Sequence, residues 1–377
     1  MMNDKLRAAR KSRLGIYIHI PFCLAKCKYC GFYSAAGSSE DERREYVDSL
    51  IEDIEEYGKV YGKTRTVDTI FIGGGTPSIL DEGEIKRILV AVRNAFDVDD
   101  DAEITIESNP KTLTKSKLLE YKQAGINRLS IGVQSLNSDI LGTLGRVHSA
   151  EDFYENFKLA RECGFDNINV DLMFAVPGHT MEIWEDTLDK IFELGPEHIS
   201  FYSLQIEEGT PFYEMFMAGN LDQVPDEIDR AMYHRTIEKL KAAGYEHYEI
   251  SNACKPGHEC RHNLKYWSLE EYLGIGSGAS SYMEGVRFAE APVLEFYENS
   301  KEDDMSEYVF TGLRKTTGFD LDDFNNRFGM KLWEAFGDRR ENLAEFLEEG
   351  LLIESQGRLY LSEDGLDVSN AIMAEFV

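Results

Sequence analysis

The sequence predicts an α/β protein: an incomplete (β/α)6 barrel followed by a small winged-helix-like C-terminal domain. Short β-like runs alternate with helical stretches between residues 17 and 204, which is typical of a parallel sheet closed or partly closed into a barrel. Beyond residue 300, short helices flank a single hairpin pattern. A chain of 377 residues with 42% hydrophobic content can bury one large core and a smaller appended domain.

Six β/α units account for the barrel. The predicted strands are 17–20, 67–72, 103–107, 128–133, 167–173 and 198–204. The first helix, 39–57, begins at the capping-box pair Ser39 and Glu42 and carries apolar residues at helical spacing. Further helices are expected near 82–95, 114–124, 150–162 and 181–194. A complete eight-unit barrel takes about 250 residues, so a region that ends near residue 205 predicts an incomplete one.

The rest of the chain divides into two parts, so that the predicted domains are 1–225, 226–300 and 301–377. The middle part contains a long helix at 226–243, a stretch at 245–251 and a segment rich in Cys, His and aromatic residues at 254–267. The last part contains helices at 306–313, 321–328 and 343–348, a hairpin around Gln356-Gly357 and a final helix at 365–376. Helices with one small hairpin predict the winged-helix-like domain.

Three cysteines directly follow the first predicted strand. Cys23, Cys27 and Cys30 have the spacing Cys-x-x-x-Cys-x-x-Cys. Three thiolates in one loop can hold three irons of a cubic [4Fe-4S] cluster and leave the fourth iron open to an exchangeable ligand. A structural zinc site is the alternative, but it needs a fourth ligand and usually pairs cysteines as Cys-x-x-Cys. The spacing therefore favours a cluster that binds a further molecule.

Other distinctive residues also lie where predicted strands end, and barrel enzymes keep their sites at the carboxyl ends of the strands. The second strand is followed by Gly-Gly-Gly-Thr-Pro at 73–77, where missing Cβ atoms let the backbone approach a ligand closely. Glu107, Gln134 and Asp171 end the third, fourth and fifth strands. Random placement would scatter these residues along the chain, so their positions indicate one site.

The triplet, with Tyr29 and Phe32 around its last cysteine and the glycine segment downstream, resembles the radical S-adenosylmethionine (SAM) superfamily. The resemblance implies a radical SAM barrel with two cofactors, a [4Fe-4S] cluster and SAM, and cleavage of SAM to methionine and a 5′-deoxyadenosyl radical. In such chemistry the protein supplies positioning and electronic tuning. The implied SAM-binding residues are Tyr17, Tyr29, Gly74, Gly75, Thr76, Glu107, Gln134, Arg146 and Asp171. Carboxylates suit ribose hydroxyls, and an arginine suits the SAM carboxylate.

The strand before the cluster points to a subgroup. The run Tyr-Ile-His-Ile-Pro-Phe-Cys at 17–23 resembles proteins around oxygen-independent coproporphyrinogen III oxidase. That resemblance implies that Tyr17 stacks near SAM and that His19 is a proton relay and hence the candidate catalytic residue. A histidine on a strand is more often a satisfied core residue, and this alternative stays open.

A second signature favours another branch of the superfamily. The segment Cys-Arg-His-Asn-Leu-Lys-Tyr-Trp at 260–267 resembles the His-Asn-x-x-Tyr-Trp motif of the HemW haem chaperones. This resemblance implies that the protein binds haem, with His262 as axial ligand, and passes it to an apo-haemoprotein. Phe32 also stands where the oxidases carry a further cysteine. A loop that packs the two domains together is the structural alternative for this segment.

Three functions therefore remain open from the sequence. A HemW-like haem chaperone is the leading interpretation, with a homodimer as one option for its assembly. A coproporphyrinogen dehydrogenase would make the chain an enzyme, in which the radical abstracts a propionate hydrogen and decarboxylation follows. A SAM or redox sensor that engages a protein partner is the third. The His262 segment and Phe32 favour the chaperone over the oxidase.

Composition limits the partners and the compartment. Forty Lys and Arg against 69 Asp and Glu give a net charge of −29, which repels nucleic acid, so no nucleic-acid partner is expected. No apolar run approaches the roughly 18 residues of a spanning helix, so no integral membrane segment is expected. Six cysteines do not indicate a disulfide framework. The sequence thus predicts a cytoplasmic protein.

Overall fold

A computed structural model of the protein describes residues 12–292, 296–337 and 339–377. The strands are β1 Ser12–Ile20, β2 Phe22–Cys23, β3 Ala35–Ala36, β4 Arg65–Gly74, β5 Asp97–Ser108, β6 Arg128–Gln134, β7 Ile168–Phe174, β8 His198–Ser203, β9 Glu246–Glu249, β10 Asn252–Cys254, β11 Tyr272–Ile275, β12 Ser280–Met283, β13 Val286–Ala289, β14 Phe296–Glu298, β15 Phe319–Asp320, β16 Leu352–Ser355 and β17 Arg358–Leu361. The α-helices are α1 Glu40–Tyr61, α2 Glu84–Ala95, α3 Lys115–Ala124, α4 Ser138–Leu144, α5 Ala150–Glu162, α6 Met181–Leu194, α7 Pro211–Met217, α8 Asp226–Ala242, α9 Arg261–Trp267, α10 Lys301–Gly312, α11 Leu321–Phe328, α12 Leu332–Ala335, α13 Ala344–Glu348 and α14 Ser369–Ala374.

Six parallel strands form the centre of the fold. They lie side by side in the order β1-β4-β5-β6-β7-β8, with helices connecting each strand to the next. Every residue of β6 is buried, as expected for a strand covered on both faces. The predicted α/β architecture with six β/α units is confirmed. Because parallel strands end at the same edge of a sheet, the residues that follow them come together there.

The sheet is wider than the sequence predicted. β11 pairs with β1 in parallel and continues into the antiparallel strands β12, β13 and β14. At the other edge, β10 and β9 pair antiparallel beyond β8. These strands come from residues 246–298, which the sequence analysis assigned mainly to a connecting region. Each has at most four residues, too few to show a two-residue periodicity.

The C-terminal segment folds as helices around a three-stranded sheet of order β15-β17-β16. The predicted hairpin is confirmed, and both Gln356 and Gly357 have positive φ, as a tight hairpin turn requires. The predicted final helix is interrupted: residues Asp364–Val368 form a 3₁₀ turn before α14. A Cβ on Gly365 would lie 2.0 Å from the Leu351 carbonyl oxygen, so this turn packs directly on the neighbouring chain.

No helix in the described residues is long and apolar enough to cross a membrane.

Helix α9 is attached to the sheet through one buried carboxylate. Glu103 on β5 accepts hydrogen bonds from the backbone amides of Arg261 and His262, each at 3.0 Å. These are the first two residues of the helix, whose N-cap side chain makes no capping hydrogen bond. Glu103 thus satisfies amide groups that a helix start otherwise leaves without a partner.

We therefore expect Glu103→Ala to lower the free energy of unfolding by about 1–3 kcal/mol, because it leaves buried amides unsatisfied. Urea denaturation of the purified variant measures this. Glu56→Gln, at an exposed position on α1, is the control and should match the parent protein. Equal stability of Glu103→Ala and the parent would show that α9 does not depend on this carboxylate.

Candidate functional site

A cavity of about 400 Å³ lies at the carboxyl ends of the parallel strands. It brings together almost all of the residues that the sequence placed in a cofactor site. The sequence-predicted residues in its wall are Cys23, Cys27, Cys30, Tyr29, Gly74, Gly75, Thr76, Glu107, Gln134, Arg146 and Asp171. Tyr17, His19 and His262 are not in this wall and are described separately below.

The three cysteines line one side of this cavity as free thiols. Thr76 donates a hydrogen bond from its hydroxyl to the Cys23 sulfur at 3.6 Å, and Arg146 donates from Nη1 to the Cys27 sulfur at 3.4 Å. Burial raises the pKa of the Cys30 thiol. The thiolate is the form that binds iron, and the Arg146 guanidinium lies beside one of the three sulfur atoms. The donor set and its surroundings therefore fit a cluster held by three cysteines.

Arg146 is held by hydrogen-bond acceptors on β6 and on the loop after β5. Its Nη2 donates to the backbone carbonyl of Gly132 and to the side-chain oxygen of Asn109. Asn109 in turn donates to the Thr76 hydroxyl at 2.7 Å. Asn109 therefore links the arginine to the glycine segment, a role that was not assigned from the sequence. Its position two residues after Glu107, at the end of β5, was the available signal.

Two carboxyl groups in the cavity wall, Glu107 and Asp171, have different environments. Asp171 accepts hydrogen bonds from Ser130 at 3.1 Å and Asn169 at 2.8 Å. Glu107 receives one hydrogen bond, from the Gly74 amide at 3.2 Å. Burial, with a further contribution from the negative charge of Asp171, raises the pKa of Glu107 to about 8. A cationic ligand in the cavity would favour ionisation of Glu107 and would be attracted by both groups.

The glycine segment at 73–77 has a backbone conformation and close contacts that leave no room for a side chain at Gly74. Gly74 has φ +111°, and a Cβ there would lie 2.5 Å from the His19 ring. The amides of Gly75 and Thr76 donate to the carbonyls of Ile20 and Phe22, each at 2.8 Å. The amides of these two residues are therefore not free to bind a ligand.

Tyr29, Gln134 and Tyr202 complete the wall. Burial raises the pKa of the Tyr29 hydroxyl, so this side chain remains a neutral phenol. Gln134 has φ +66°, an uncommon backbone conformation for a non-glycine residue, at a register shift between β6 and β7. Tyr202 lies next to the end of β8 and was missed in the sequence analysis, although the sixth predicted strand ends there.

Tyr17 and His19 lie behind the glycine segment and line a separate groove instead. His19 Nε2 is 2.9 Å from the Tyr33 carbonyl oxygen and Nδ1 is 3.0 Å from the Tyr17 hydroxyl. Since a carbonyl only accepts, Nε2 carries the proton and Nδ1 accepts from Tyr17. Burial lowers the pKa of His19, which keeps the ring neutral. The ring still touches the cavity wall through Gly74, so its relay role stays a prediction.

His262 is fully buried, and its ligation of haem stays a prediction. Its Nδ1 is 2.8 Å from the Thr69 hydroxyl and its Nε2 is 2.8 Å from the Tyr266 hydroxyl. Burial, with the positive charges of Lys265 and Arg128, lowers its pKa to about 3. Both ring nitrogens have protein partners. In this structure His262 joins α9 to β4.

Comparisons with known proteins agree with this arrangement. Residues 17–191 match the sequence model of the radical SAM superfamily, and residues 299–368 match that of the HemN C-terminal domain. The chain is 37% identical to "Heme chaperone HemW" of Bacillus subtilis over 381 residues, covering 96% of this chain and 98% of the relative. The corresponding protein of Lactococcus lactis is 33% identical, covering 96% of both chains.

The chain belongs to the HemW family. Among solved structures, coproporphyrinogen III oxidase (HemN) from Escherichia coli superposes with a TM-score of 0.85 at 22% identity, covering 99% of this chain and 92% of that chain. This HemW relative therefore shares the HemN fold. The radical SAM family implies a [4Fe-4S] cluster and SAM, and the cavity described above supplies the cysteines for the first of these.

We expect replacement of Cys23, Cys27 and Cys30 together by alanine to abolish bound iron and sulfide after anaerobic reconstitution, since these thiols line one cavity. Iron and acid-labile sulfide analysis measures this. Cys163→Ala, at a buried cysteine after α5, is the control and should retain both. Full iron and sulfide in the triple variant would assign the cluster to other ligands.

The raised pKa of Glu107 predicts that the stability of the protein without cofactors depends on pH. Its pKa is about 8 when folded against an ordinary value of 4.5, so the unfolded chain releases this proton first. Stability contributed by the neutral carboxyl is therefore complete below about pH 4.5 and decreases as the pH rises to about 8. Glu107→Gln keeps a neutral side chain and should remove this decrease.

The measurement is the difference in urea midpoint between Glu107→Gln and the parent from pH 5 to pH 9. We expect the difference to grow in favour of the variant up to about pH 8 and then to level off. Glu120→Gln, on α3, is the control for loss of a carboxylate. A difference that does not change with pH would mean that Glu107 ionises normally.

Proposed function

We propose that this protein is a haem chaperone, which binds haem and transfers it to an apo-haemoprotein. The observation that carries the proposal is the match along almost the whole chain to relatives named heme chaperone, with 98% of the Bacillus subtilis protein covered. Phe32 in place of a fourth nearby cysteine supports the same choice over the oxidase. We place the protein in the cytoplasm, where its cysteines stay reduced.

The cavity would serve as the cofactor site of this chaperone. Cys23, Cys27 and Cys30 would hold the cluster, which when bound supplies an electron for cleavage of SAM. Arg146 would pair with the SAM carboxylate, because a guanidinium matches a carboxylate with two parallel hydrogen bonds. Glu107 and Asp171 would accept hydrogen bonds from SAM and balance its positive charge. Handover of haem or dimerisation is the step that cofactor binding would control.

A coproporphyrinogen dehydrogenase is the second candidate, and two observations favour it. The oxidase HemN has the same fold over 99% of this chain, and His19 adjoins the cavity through Gly74. A shared fold does not define the chemistry, because the same fold carries different functions. The two candidates therefore have to be separated by activity.

The test uses reconstituted protein under anaerobic conditions. As a chaperone, it should give a Soret band on haem addition and pass the haem to an apo-haemoprotein, measured as recovered activity of the recipient. With SAM, reductant and coproporphyrinogen III, we expect no protoporphyrinogen. Protoporphyrinogen formation would establish the dehydrogenase instead, and absence of both haem binding and conversion would favour the sensor.

A further inference from the structure

A second recess, of about 520 Å³, lies beside the SAM cavity and is lined mainly by aromatic side chains. Tyr17 and His19 of β1 contribute to it, together with Trp267 of α9. Arg287 of β13 and Phe310 of α10 contribute from the C-terminal side. We call this recess the aromatic groove. It is formed by parts of the chain that are distant in sequence, so it exists only in the folded protein.

The aromatic groove and the SAM cavity share a wall. Phe32, which is 70% exposed, lines both of them. Behind it, only the backbone of Gly74 separates the cavity from the His19 ring, and a Cβ at Gly74 would lie 2.5 Å from that ring. A molecule in the groove would therefore lie one residue away from a molecule in the cavity.

We propose that the aromatic groove is the seat of the haem cargo, an inference that rests on the proposed function. A porphyrin is a flat aromatic ring with two carboxylates, and aromatic walls stack on such a face. Arg287 donates to Glu307 and to the Tyr272 hydroxyl, and these bonds occupy three of its five N–H groups. The remaining two are available to a propionate as hydrogen-bond donors, while Glu307, 2.6 Å away, balances the charge of the guanidinium.

The axial donor in this seat is a phenol rather than an imidazole. His19 is the histidine in the wall, and both of its nitrogens are engaged. Tyr33 is 47% exposed in the same wall, and within the described residues its hydroxyl has no hydrogen-bond partner. Tyrosine is a known axial ligand of haem iron. The geometry thus assigns the iron to Tyr33.

Two variants test separately whether haem binds in the groove and whether Tyr33 ligates its iron. Ser280 is an exposed groove residue at the start of β12, outside the SAM cavity wall, and Ser280→Trp fills the groove. We expect it to raise the Kd for haem about tenfold or more, because the ring has to be displaced. Tyr33→Phe keeps the aromatic wall but removes the phenol oxygen that would bind the iron. It should therefore change the ferric haem spectrum and weaken haem binding.

The controls use the same substitutions away from the groove. Ser355→Trp, at an exposed strand end in the C-terminal sheet, and Tyr297→Phe, at a half-exposed tyrosine on β14, should both behave as the parent. Metal-free protoporphyrin IX needs no axial ligand. Its binding, followed by fluorescence, should therefore be weakened by Ser280→Trp and unchanged in Tyr33→Phe. The amount of cluster iron bound by each variant shows whether the neighbouring cavity is intact.

The outcomes are distinct. If the parent and Ser280→Trp bind haem and protoporphyrin equally, the groove is not the seat, although the chaperone function stands. If the parent binds no haem, the proposed function itself fails. Should Ser280→Trp not fold, an unchanged Soret spectrum and affinity in Tyr33→Phe would still overturn the assignment of the iron to Tyr33.

Discussion

The site depends on a short backbone contact between the first two parallel strands. The amides of Gly75 and Thr76 donate to the carbonyls of Ile20 and Phe22, immediately before Cys23. This contact fixes the start of the cysteine loop against the carboxyl end of β4. A side chain at Gly75 would lie 2.7 Å from the Phe22 carbonyl oxygen, so the contact requires glycine. These two hydrogen bonds therefore hold the start of the cysteine loop next to the strand ends.

The cavity wall contains groups of both charges. Arg146 contacts the Cys27 sulfur, and the carboxyl groups of Glu107 and Asp171 lie in the same wall. Such a wall suits a ligand that carries both a carboxylate and a cation. Arg146 itself is held by Asn109 and the Gly132 carbonyl rather than by either carboxylate. Because Arg146 forms no salt bridge with a carboxylate among the described residues, its charge is available to a ligand.

Much of the fold and of the site could be predicted because the signals were local. The six parallel strands show apolar runs. The cysteines follow β1, and Glu107 and Asp171 lie on β5 and β7, which are parallel strands of the same sheet. The short strands β9 to β14 could not be predicted, because they are specified by pairing with distant strands rather than by their own pattern. The separation of His19 from the cavity by Gly74 also depends on tertiary packing, which spacing along the chain does not encode.

His262 lies inside the protein and connects α9 to the sheet in this structure. The histidine is buried between Thr69 and Tyr266, and its ring stacks on Phe71 at 5.4 Å between centroids. These contacts, with Glu103 at the helix start, set the position of α9. Helix α9 in turn places Tyr266 and Trp267 in the wall of the aromatic groove. The histidine thus acts as an internal support for an aromatic surface. A signature that resembles a haem-binding motif can therefore also have an internal structural role, because both ring nitrogens of its histidine have protein partners in this structure.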